Sequence, residues 1–327
     1  MSEAFRHRQA KHARVDTKPS KPCKTQHSYS TQQRSPPQAR LTFPLAIISV
    51  RSMPIPSPDQ CPTLCALSAD YFQALKPLHA GEGAPWGGVH QGLALLVLAR
   101  PEQHNRLDPA DVDAMQTFWG RLQDASVLVI TAMGNQTFSS GYTIEAIVQN
   151  LDDRFEQMLD GLESLPLLSI AALNGSVYGG GTDLALCCDL RLGLCASRMF
   201  MPAARFGLHY YPGGLRRYVQ RLGLSAASML MLTAQTIDDA CMLRIGFLHE
   251  RHESHQALSQ RLTVLIEAQM ANDAAVVAAM KRDLASLAAN RFDHAAARES
   301  FVSSLQSPSL AQRLKAAGER RSKKSAR

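Results

Sequence analysis

The stretch "NGSVYGGGTDLALCCD", residues 174–189, places three consecutive glycines before an aspartate that opens an apolar run. Glycine inside a helix or strand costs about 0.5–1 kcal/mol relative to alanine, so the triplet indicates a tight turn or a close approach to the backbone. The preceding "LLSIAALNG" (167–175) is typical of a short buried strand, and the following "DLALCC" (183–188) of a buried helix. The glycines therefore lie at a helix N-terminus, whose free N–H groups and dipole attract negative charge.

A second loop of the same kind lies upstream. "FSSGYT" (138–143) follows the apolar run "SVLVITAM" (126–133) and precedes a predicted helix that begins near Ile144. Two backbone N–H groups from two such loops, converging on one oxygen, form an oxyanion hole. The anion would then be transient, such as an enolate oxygen; a loop shaped only by its own tight turn is the alternative.

The order of the predicted elements gives the fold class. From about Gly92 the pattern runs strand, helix, strand, loop, helix, strand, helix and strand, and from Gly214 onward it is helical. We therefore predict an α/β body with a helical C-terminal part. No apolar run reaches about 18 residues, so we expect no membrane span.

The positive charge is concentrated at the two ends of the chain. The net charge is +7, but residues 1–52 hold ten Lys or Arg and two acids, and "RLKAAGERRSKKSAR" (313–327) is again basic. A DNA-binding domain carries its basic residues on a folded surface, so we expect no DNA partner. Residues 1–52 are rich in Ser, Gln, Pro, Lys and Arg, which predicts a disordered basic leader outside the fold.

Three interpretations of this leader stay open. It resembles an organelle transit peptide in being rich in Arg and Ser and poor in acids, or it is an arm that binds nucleic acid, or the native protein starts at Met53. We expect a cytoplasmic protein, or a protein of an organelle matrix if the leader is a transit peptide. The seven cysteines are odd in number and include no C-x-x-C pair, which favours a reduced compartment and predicts neither a disulfide framework nor a metal site.

Six stretches occur in the order and spacing of the crotonase family, the enoyl-CoA hydratase/isomerase superfamily. They are "RPEQHNRL", "FSSGYTIEAI", "IAALNGSVYGGGTDLALCCDLRL", "PAARFGL", "PGGLRRYVQRLGLSAA" and "LTAQTIDDACMLRIGFLHE". The resemblance covers about residues 90–312. It implies a spiral of ββα units in a core over 53–235 and a helical region over 236–312, followed by the basic tail 313–327. It also implies that the helical region forms homotrimers, often paired into hexamers.

The resemblance implies an acyl-CoA thioester as substrate and the enolate of its carbonyl as the stabilised anion. Coenzyme A is then part of the substrate, so no separate cofactor is expected. By position, Tyr142 and Gly180 would supply the two oxyanion N–H groups, and Asp183 would replace the catalytic Glu of hydratases, as in dienoyl-CoA isomerases. Arg216 and Arg217 are expected in solvent, at a subunit contact or near the coenzyme A phosphates. We call the two glycine-containing loops, residues 138–143 and 178–183, the cradle. The residues expected to line the coenzyme A channel and the cradle are His104, Asn105, Arg106, Ser140, Gly141 and Thr143.

Two departures from the hydratase pattern change the expected reaction. Hydratases carry a second Glu where "PAARFGL" has Ala203, and two carboxylates are needed there to hold and split one water. The segment "GLHYYPGG" (207–214) is two residues longer than in common hydratases, and it places His209, Tyr210 and Tyr211 at the second wall of the site. We therefore expect isomerisation by one carboxylate. The alternatives are a hydratase or lyase that uses His209 or Tyr211 instead of the missing Glu, and a non-catalytic homologue that binds acyl-CoA or RNA.

Overall fold

The computed structural model describes residues 55–143, 148 and 153–325 of the 327-residue chain, and Met53–Arg327 form one compact unit. The predicted basic leader over residues 1–52 and the predicted helix start near Ile144 lie outside the described residues. Within the described ranges the strands are β1 (Lys76–Pro77), β2 (Trp86–His90), β3 (Leu93–Leu98), β4 (Val127–Ala132), β5 (Thr137–Ser139), β6 (Leu168–Ala172), β7 (Ser176–Tyr178), β8 (Leu190–Leu194), β9 (Arg198–Phe200), β10 (Ile237–Asp238) and β11 (Glu250–His252). The helices are α1 (Ala69–Gln73), α2 (Pro109–Trp119), α3 (Arg154–Glu163), α4 (Gly180–Cys187), α5 (Pro212–Thr233), α6 (Asp239–Arg244), α7 (His255–Met270), α8 (Ala274–Ala288), α9 (His294–Leu305) and α10 (Pro308–Ser325).

The strands form two sheets. The larger has the order β1-β2-β3-β4-β6-β8-β11, with antiparallel pairing from β1 to β3 and parallel pairing from β3 to β11. The smaller has the order β10-β9-β7-β5, in which only β10 is antiparallel to its neighbour. Every residue of β3 and β4 is buried, as expected for parallel strands covered on both faces. The predicted α/β class with a helical C-terminal part is confirmed.

Helices pack on both faces of the larger sheet. On one face, α2 buries Val112, Met115 and Trp119, and the Trp119 indole donates to the Met158 carbonyl at 3.0 Å. The other face is covered by α7, whose Leu258 and Leu262 are fully buried. Two apolar clusters therefore sandwich the larger sheet, and the two glycine-containing loops follow β5 and β7, which are neighbours in the smaller sheet.

The described fold corrects the predicted element order at both ends. Ordered strands begin before Gly92, because β2 pairs with β3; its sequence "WGGVH" hid it, since glycine lacks the side chain that makes a strand pattern visible. The region after Gly214 also contains β10 and β11, which are too short to show a period of two. Because these strands join β9 and β8, the predicted division between 53–235 and 236–312 cuts through both sheets.

The last helices lie on the outside of the body. Helices α8 and α9 contain no buried residue. Helix α8 contacts the core through Lys281. Its amine donates to the Leu167 carbonyl at 2.9 Å and to Asp189 Oδ2 at 2.7 Å. Exposed apolar side chains on α8, α9 and α10 are Met280, Leu284, Leu287, Phe301, Val302, Leu305 and Leu314. Over the described ranges no single helix has the length and apolarity to cross a membrane, and one bent pair, α7 with α8 at 105°, meets those criteria together.

Candidate active site

The two glycine-containing loops touch through their backbones. A Cβ atom placed on Gly141 would lie 2.3 Å from the Gly180 nitrogen, and Gly141 has a φ of +87°. A Cβ on Gly181 would lie 2.6 Å from the Ser139 carbonyl oxygen. No side chain fits at these positions, so the glycines allow one loop to lie directly against the other. This contact explains the glycines of the stretch 174–189.

The predicted oxyanion donors are neighbours in this contact. Helix α4 begins at Gly180, whose N–H has no partner within the helix. A Cβ on Gly180 would lie 3.3 Å from the Tyr142 nitrogen. The upstream loop is held in place by the Leu107 N–H, which donates to the Gly141 carbonyl at 2.8 Å, and by the Thr143 N–H, which donates to the Leu107 carbonyl at 3.2 Å. The assignment of the two N–H groups to an oxyanion stays a prediction.

Aromatic rings cover the two loops. The Phe155 ring of α3 lies 3.0 Å from the position that a Gly180 Cβ would occupy. Phe155 stacks on Tyr142 with 5.2 Å between ring centroids, and its edge meets Tyr211 at 6.3 Å. The position of Phe155 over the cradle depends on how α3 packs against α4, which the sequence pattern does not specify.

Asp183 lies in the first turn of α4 and is fully buried. Its Oδ2 accepts hydrogen bonds from the phenols of Tyr210, at 2.9 Å, and Tyr211. Its Oδ1 accepts one from Arg217 Nη1 at 3.0 Å. A carboxylate has about four acceptor positions, so these three donors leave one, on Oδ1. The structure thus brings the predicted catalytic residues Asp183 and Tyr211 together. Tyr210, which the sequence placed at the same wall, also contacts Asp183.

The two phenols act as hydrogen-bond donors at neutral pH. Burial raises the pKa of Tyr210 and of Tyr211 well above the ordinary value, and the negative charge of Asp183 raises both pKa values further. Neither phenol therefore ionises near pH 7. They hold Oδ2 but cannot accept a proton from a carbon acid, so Asp183 is the basic group of the cluster.

Arg217 corrects the prediction that both arginines of "LRRY" lie at the surface. Its side chain is fully buried, whereas that of Arg216 is 39% exposed. Arg217 Nη2 donates to Asp160 Oδ1 at 2.5 Å and Arg217 Nε to Glu163 Oε2 at 3.2 Å. Arginine is rarely buried unless it is paired, which made the surface the natural expectation. The available signal was the spacing of two acids, Asp160 and Glu163, on one side of α3.

The other predicted residues lie in different settings. His209 is exposed, and so are His104 and Arg106. Ser140 and Thr143 are partly buried in the upstream loop, where the Ser140 N–H donates to the His104 carbonyl at 2.9 Å. Thus His104 borders the cradle, while His209 is not among the hydrogen-bond partners of Asp183.

Asn105 has a different role from the predicted contact with coenzyme A. It is 1% exposed, and its Oδ1 accepts from the Arg100 N–H at 3.0 Å. Its Nδ2 donates to the carbonyls of Met133 at 3.0 Å and Thr137 at 2.8 Å. The amide thus joins the loop before α2 to the segment that leads into β5.

We expect Asn105→Ala to lower the free energy of unfolding by about 1–3 kcal/mol, because the Arg100 N–H loses its acceptor and the Met133 and Thr137 carbonyls lose a donor. Urea denaturation of the variant measures this change. His104→Ala is the matched control, since His104 is exposed and has a similar φ of 53° against 50°. Equal stability of the two variants, with coenzyme A affinity lost only in Asn105→Ala, would restore the predicted ligand role.

No group of three or more His, Cys, Asp or Glu side chains is placed to hold a metal ion within residues 55–143 and 153–325.

Ala203, the position of the second Glu in hydratases, is 7% exposed and begins a short 3-10 turn, Ala203–Phe206. With Ala203 at this position, the predicted catalytic carboxylate is Asp183, in the first turn of α4.

Comparison with known proteins identifies the family. The family model described as enoyl-CoA hydratase/isomerase matches residues 88–321. The chain belongs to the enoyl-CoA hydratase/isomerase family. This confirms the resemblance drawn from the six stretches, and solved structures of the family confirm the fold: the enoyl-CoA hydratase/isomerase from Marinobacter aquaeolei aligns with a TM-score of 0.66 at 21% identity, covering 76% of this chain and 97% of that one.

Curated members of the enoyl-CoA hydratase/isomerase family are similar over about half of this chain. Enoyl-CoA hydratase AKT6-1 of Alternaria alternata is 30% identical over 51% of this chain and 58% of its own length. Enoyl-CoA hydratase domain-containing protein 2, mitochondrial, of Mus musculus is 28% identical over 61% of this chain and 74% of its own length. The chain thus spans well under two thirds of the length of the first of these relatives.

Proposed function

We propose that this protein acts on an acyl-CoA thioester and stabilises the enolate of the thioester carbonyl. The observation that carries this proposal is the direct contact of the two loops at Gly141 and Gly180, with Asp183 in the first turn of the same helix. Backbone donors fixed in place before the reaction stabilise developing negative charge without reorganisation. Family membership supports the acyl-CoA class of substrate, and coenzyme A enters as part of that substrate.

The substrate is proposed to lie along the exposed loop that carries His104 and Arg106. This loop is joined to the cradle through Ser140, whose N–H donates to the His104 carbonyl at 2.9 Å. Both side chains are exposed, and Arg106 keeps 45% of its side chain in solvent. Arg106 can therefore meet a phosphate of coenzyme A while the thioester carbonyl lies between Tyr142 and Gly180.

The proposed chemistry is a proton transfer by one carboxylate. Asp183 takes a proton from carbon: a C–H bond breaks, a carboxyl O–H bond forms on the remaining acceptor position, and the electron pair enters the enolate. The two backbone N–H groups receive the charge on the thioester oxygen. Return of the proton to a different carbon shifts the double bond with no water consumed. Because Ala203 carries no second carboxylate, isomerisation fits this site better than hydration.

Hydration is the second candidate. Two phenols lie on Asp183 Oδ2, and the named relatives are enoyl-CoA hydratases. In this candidate Tyr211 holds the water in place of the missing Glu. His209, the other substitute considered from the sequence, is exposed. A phenol donates a hydrogen bond to water but does not deprotonate it, so we place this candidate below isomerisation.

A panel of enoyl-CoA thioesters incubated with the enzyme in deuterated water separates these candidates by mass spectrometry. Isomerisation gives products that carry deuterium and no added water, whereas hydration adds one water. We expect the first result for at least one panel member. Measurable binding without any exchange or product across the panel would favour a non-catalytic acyl-CoA-binding protein, and salt-sensitive RNA binding would favour the RNA-binding alternative.

We expect Ala203→Glu to raise hydration of crotonyl-CoA by at least tenfold, because it supplies the second carboxylate that holds and splits water. The rate of water addition, followed by loss of enoyl absorbance, measures the gain. Ala203→Gln is the matched control, since it has the same size and no charge. Efficient hydration of crotonyl-CoA by the wild type, or the same rate in both variants, would contradict the one-carboxylate account.

We further propose that the chain forms homotrimers, or hexamers built from them, through its C-terminal helices. The exposed apolar side chains of α8 and α9 support this, because an isolated protein rarely leaves so many in one region. Light scattering of the purified chain gives the mass directly. A monomer at micromolar concentration would contradict the proposal.

The location in the cell is also a proposal. The relative from Mus musculus is named mitochondrial, and residues 1–52 have the composition of a transit peptide. We propose an organelle matrix rather than the cytoplasm. Residues 1–52 fused to a fluorescent protein should direct it to the organelle in a eukaryotic host, and diffuse fluorescence would support the cytoplasmic alternative.

A further inference from the structure

A cluster of charges lies behind the candidate base. Arg217 of α5 contacts three carboxylates from two helices: Asp183 of α4 at 3.0 Å, Asp160 of α3 at 2.5 Å and Glu163 of α3 at 3.2 Å. Asp183 and Arg217 are both fully buried, whereas the Asp160 side chain is 51% exposed. The Arg217 guanidinium thus connects the buried Asp183 carboxylate to the half-exposed Asp160 carboxylate.

Complete burial makes ionisation of Asp183 dependent on its partners. A carboxylate without a compensating cation in a protein interior takes up a proton instead of staying charged. A protonated Asp183 could not accept a proton from the substrate. The two phenols on Oδ2 stabilise the carboxylate by hydrogen bonds, but they bring no positive charge.

We propose that Arg217 is a positioning residue of the reaction, which keeps Asp183 ionised and turns its Oδ2 toward Tyr210 and Tyr211. The inference rests on the proposed function, since it takes Asp183 to be the base. It assigns to the second arginine of "LRRY" a task that is distinct from binding the phosphates of coenzyme A. The Nη1, Nη2 and Nε atoms of Arg217 each contact a different carboxylate. These three contacts fix the plane of the guanidinium, and the contact with Nη1 orients Oδ1 of Asp183.

The other groups that face Asp183 do not replace this cation. Burial raises the pKa of the Tyr218 phenol well above its ordinary value, as for Tyr210 and Tyr211, and Tyr218 is bonded to the hydroxyl of Thr182. Burial likewise raises the pKa of the Cys187 thiol, so Cys187 stays neutral. Among the described residues Arg217 is therefore the one cation in contact with Asp183.

The negative charge of Glu163 is balanced by more cations than Arg217 alone. Burial opposes ionisation of Glu163, but Arg216, Arg217 and Arg221 together lower its pKa below the ordinary value. Arg216 Nη2 donates to Glu163 Oε2 at 2.6 Å, and Arg221 lies 3.7 Å from Oε1. With two further cations on Glu163, the Arg217 guanidinium remains available to Asp183.

The test compares Arg217→Met with Arg216→Met. Both arginines contact Glu163 and Asp160, but in the described structure only Arg217 contacts Asp183. Without the cation, the buried carboxylate loses the positive charge that favours its ionised form, so proton exchange, which needs the carboxylate, is lost at a higher pH. The acid limb of the pH profile is the range in which the exchange rate falls as the pH is lowered. We expect this limb to move up by about 1–3 pH units in Arg217→Met. The limb of Arg216→Met should match that of the wild type.

A second readout does not require turnover. Infrared spectra recorded against pH, with Asp183→Asn as the reference that identifies the Asp183 band, follow the protonation of this carboxyl directly. The band of the protonated form should appear at higher pH in Arg217→Met than in the wild type. If the wild type shows no exchange with any substrate, the proposed function fails while this titration still tests Arg217.

If Arg217→Met does not fold, Arg217→Lys provides a second test of the same proposal. Lysine keeps the charge but loses the planar fork, so its acid limb is expected between those of the wild type and Arg217→Met. A purely structural role would lower the melting temperature of the Arg217 variants without moving the limb or the infrared band. That result, or equal limbs in Arg216→Met and Arg217→Met, would overturn the proposal.

Discussion

Asp183→Asn is expected to lower the rate of proton exchange on the acyl-CoA by about 10²–10⁴-fold, the range typical of removing a general base. The amide keeps the size of the side chain and can still accept from the phenols of Tyr210 and Tyr211. It has no basic oxygen for a proton from carbon. The loss should therefore appear in the chemical step, with the dissociation constant for acyl-CoA nearly unchanged. Single-turnover deuterium incorporation and calorimetry measure the two quantities.

Asp239→Asn is the matched control for this variant. Asp239 is also buried and ion-paired, to Arg251 at 2.7 Å, but it lies in α6, outside the site. Both changes weaken a salt bridge, so both should cost some stability, and the loss of exchange should occur only in Asp183→Asn. Full exchange activity in a folded Asp183→Asn enzyme would assign the proton transfer to a group other than Asp183.

Gly141→Ala is expected to lower the exchange rate by about 10²–10³-fold, the usual effect of losing one oxyanion donor. The added methyl would lie 2.3 Å from the Gly180 nitrogen. Because this neighbour is backbone, the loops must separate and the two N–H groups can no longer reach one oxygen. The thioester can still bind through coenzyme A, so the rate should fall more than the affinity. The same deuterium assay measures the change.

Gly246→Ala separates steric effects from backbone strain. Gly246 has a φ of +78°, close to that of Gly141, but no atom lies within 4 Å of its added Cβ. Its substitution should cost stability through the left-handed backbone alone and leave exchange intact. If both variants retain the wild-type rate, the contact between the loops does not form the oxyanion site.

The features that the sequence predicts correctly are those that depend on neighbouring residues in the chain. The apolar runs that became β3 and β4 are buried throughout, and parallel strands covered on both faces show this pattern regardless of their partners. The glycine triplet 179–181 predicted a tight turn or a close backbone approach, and the structure shows the close approach at Gly181. The position of Asp183 beside these glycines followed from its place in the first turn of α4.

The interior of the site could not be predicted in the same way. The pairing of Arg217 with Asp183 joins residues 34 positions apart, and it depends on the angle at which α5 crosses α4. No periodicity reports such an angle. The amide of Asn105 likewise resembles a ligand contact in the sequence, but it satisfies backbone groups up to 32 positions away. Long-range polar partners follow from packing and not from local propensity.

The most direct test of the central claim uses a saturated acyl-CoA in deuterated water. Such a substrate has no double bond to shift or hydrate, so deuterium at the carbon next to the thioester reports formation of the enolate alone. We expect the wild-type enzyme to incorporate deuterium there, and Asp183→Asn and Gly141→Ala to incorporate none above background. An enzyme that binds the saturated thioester and leaves its mass unchanged, for every acyl chain tested, would contradict the claim that this site forms an enolate.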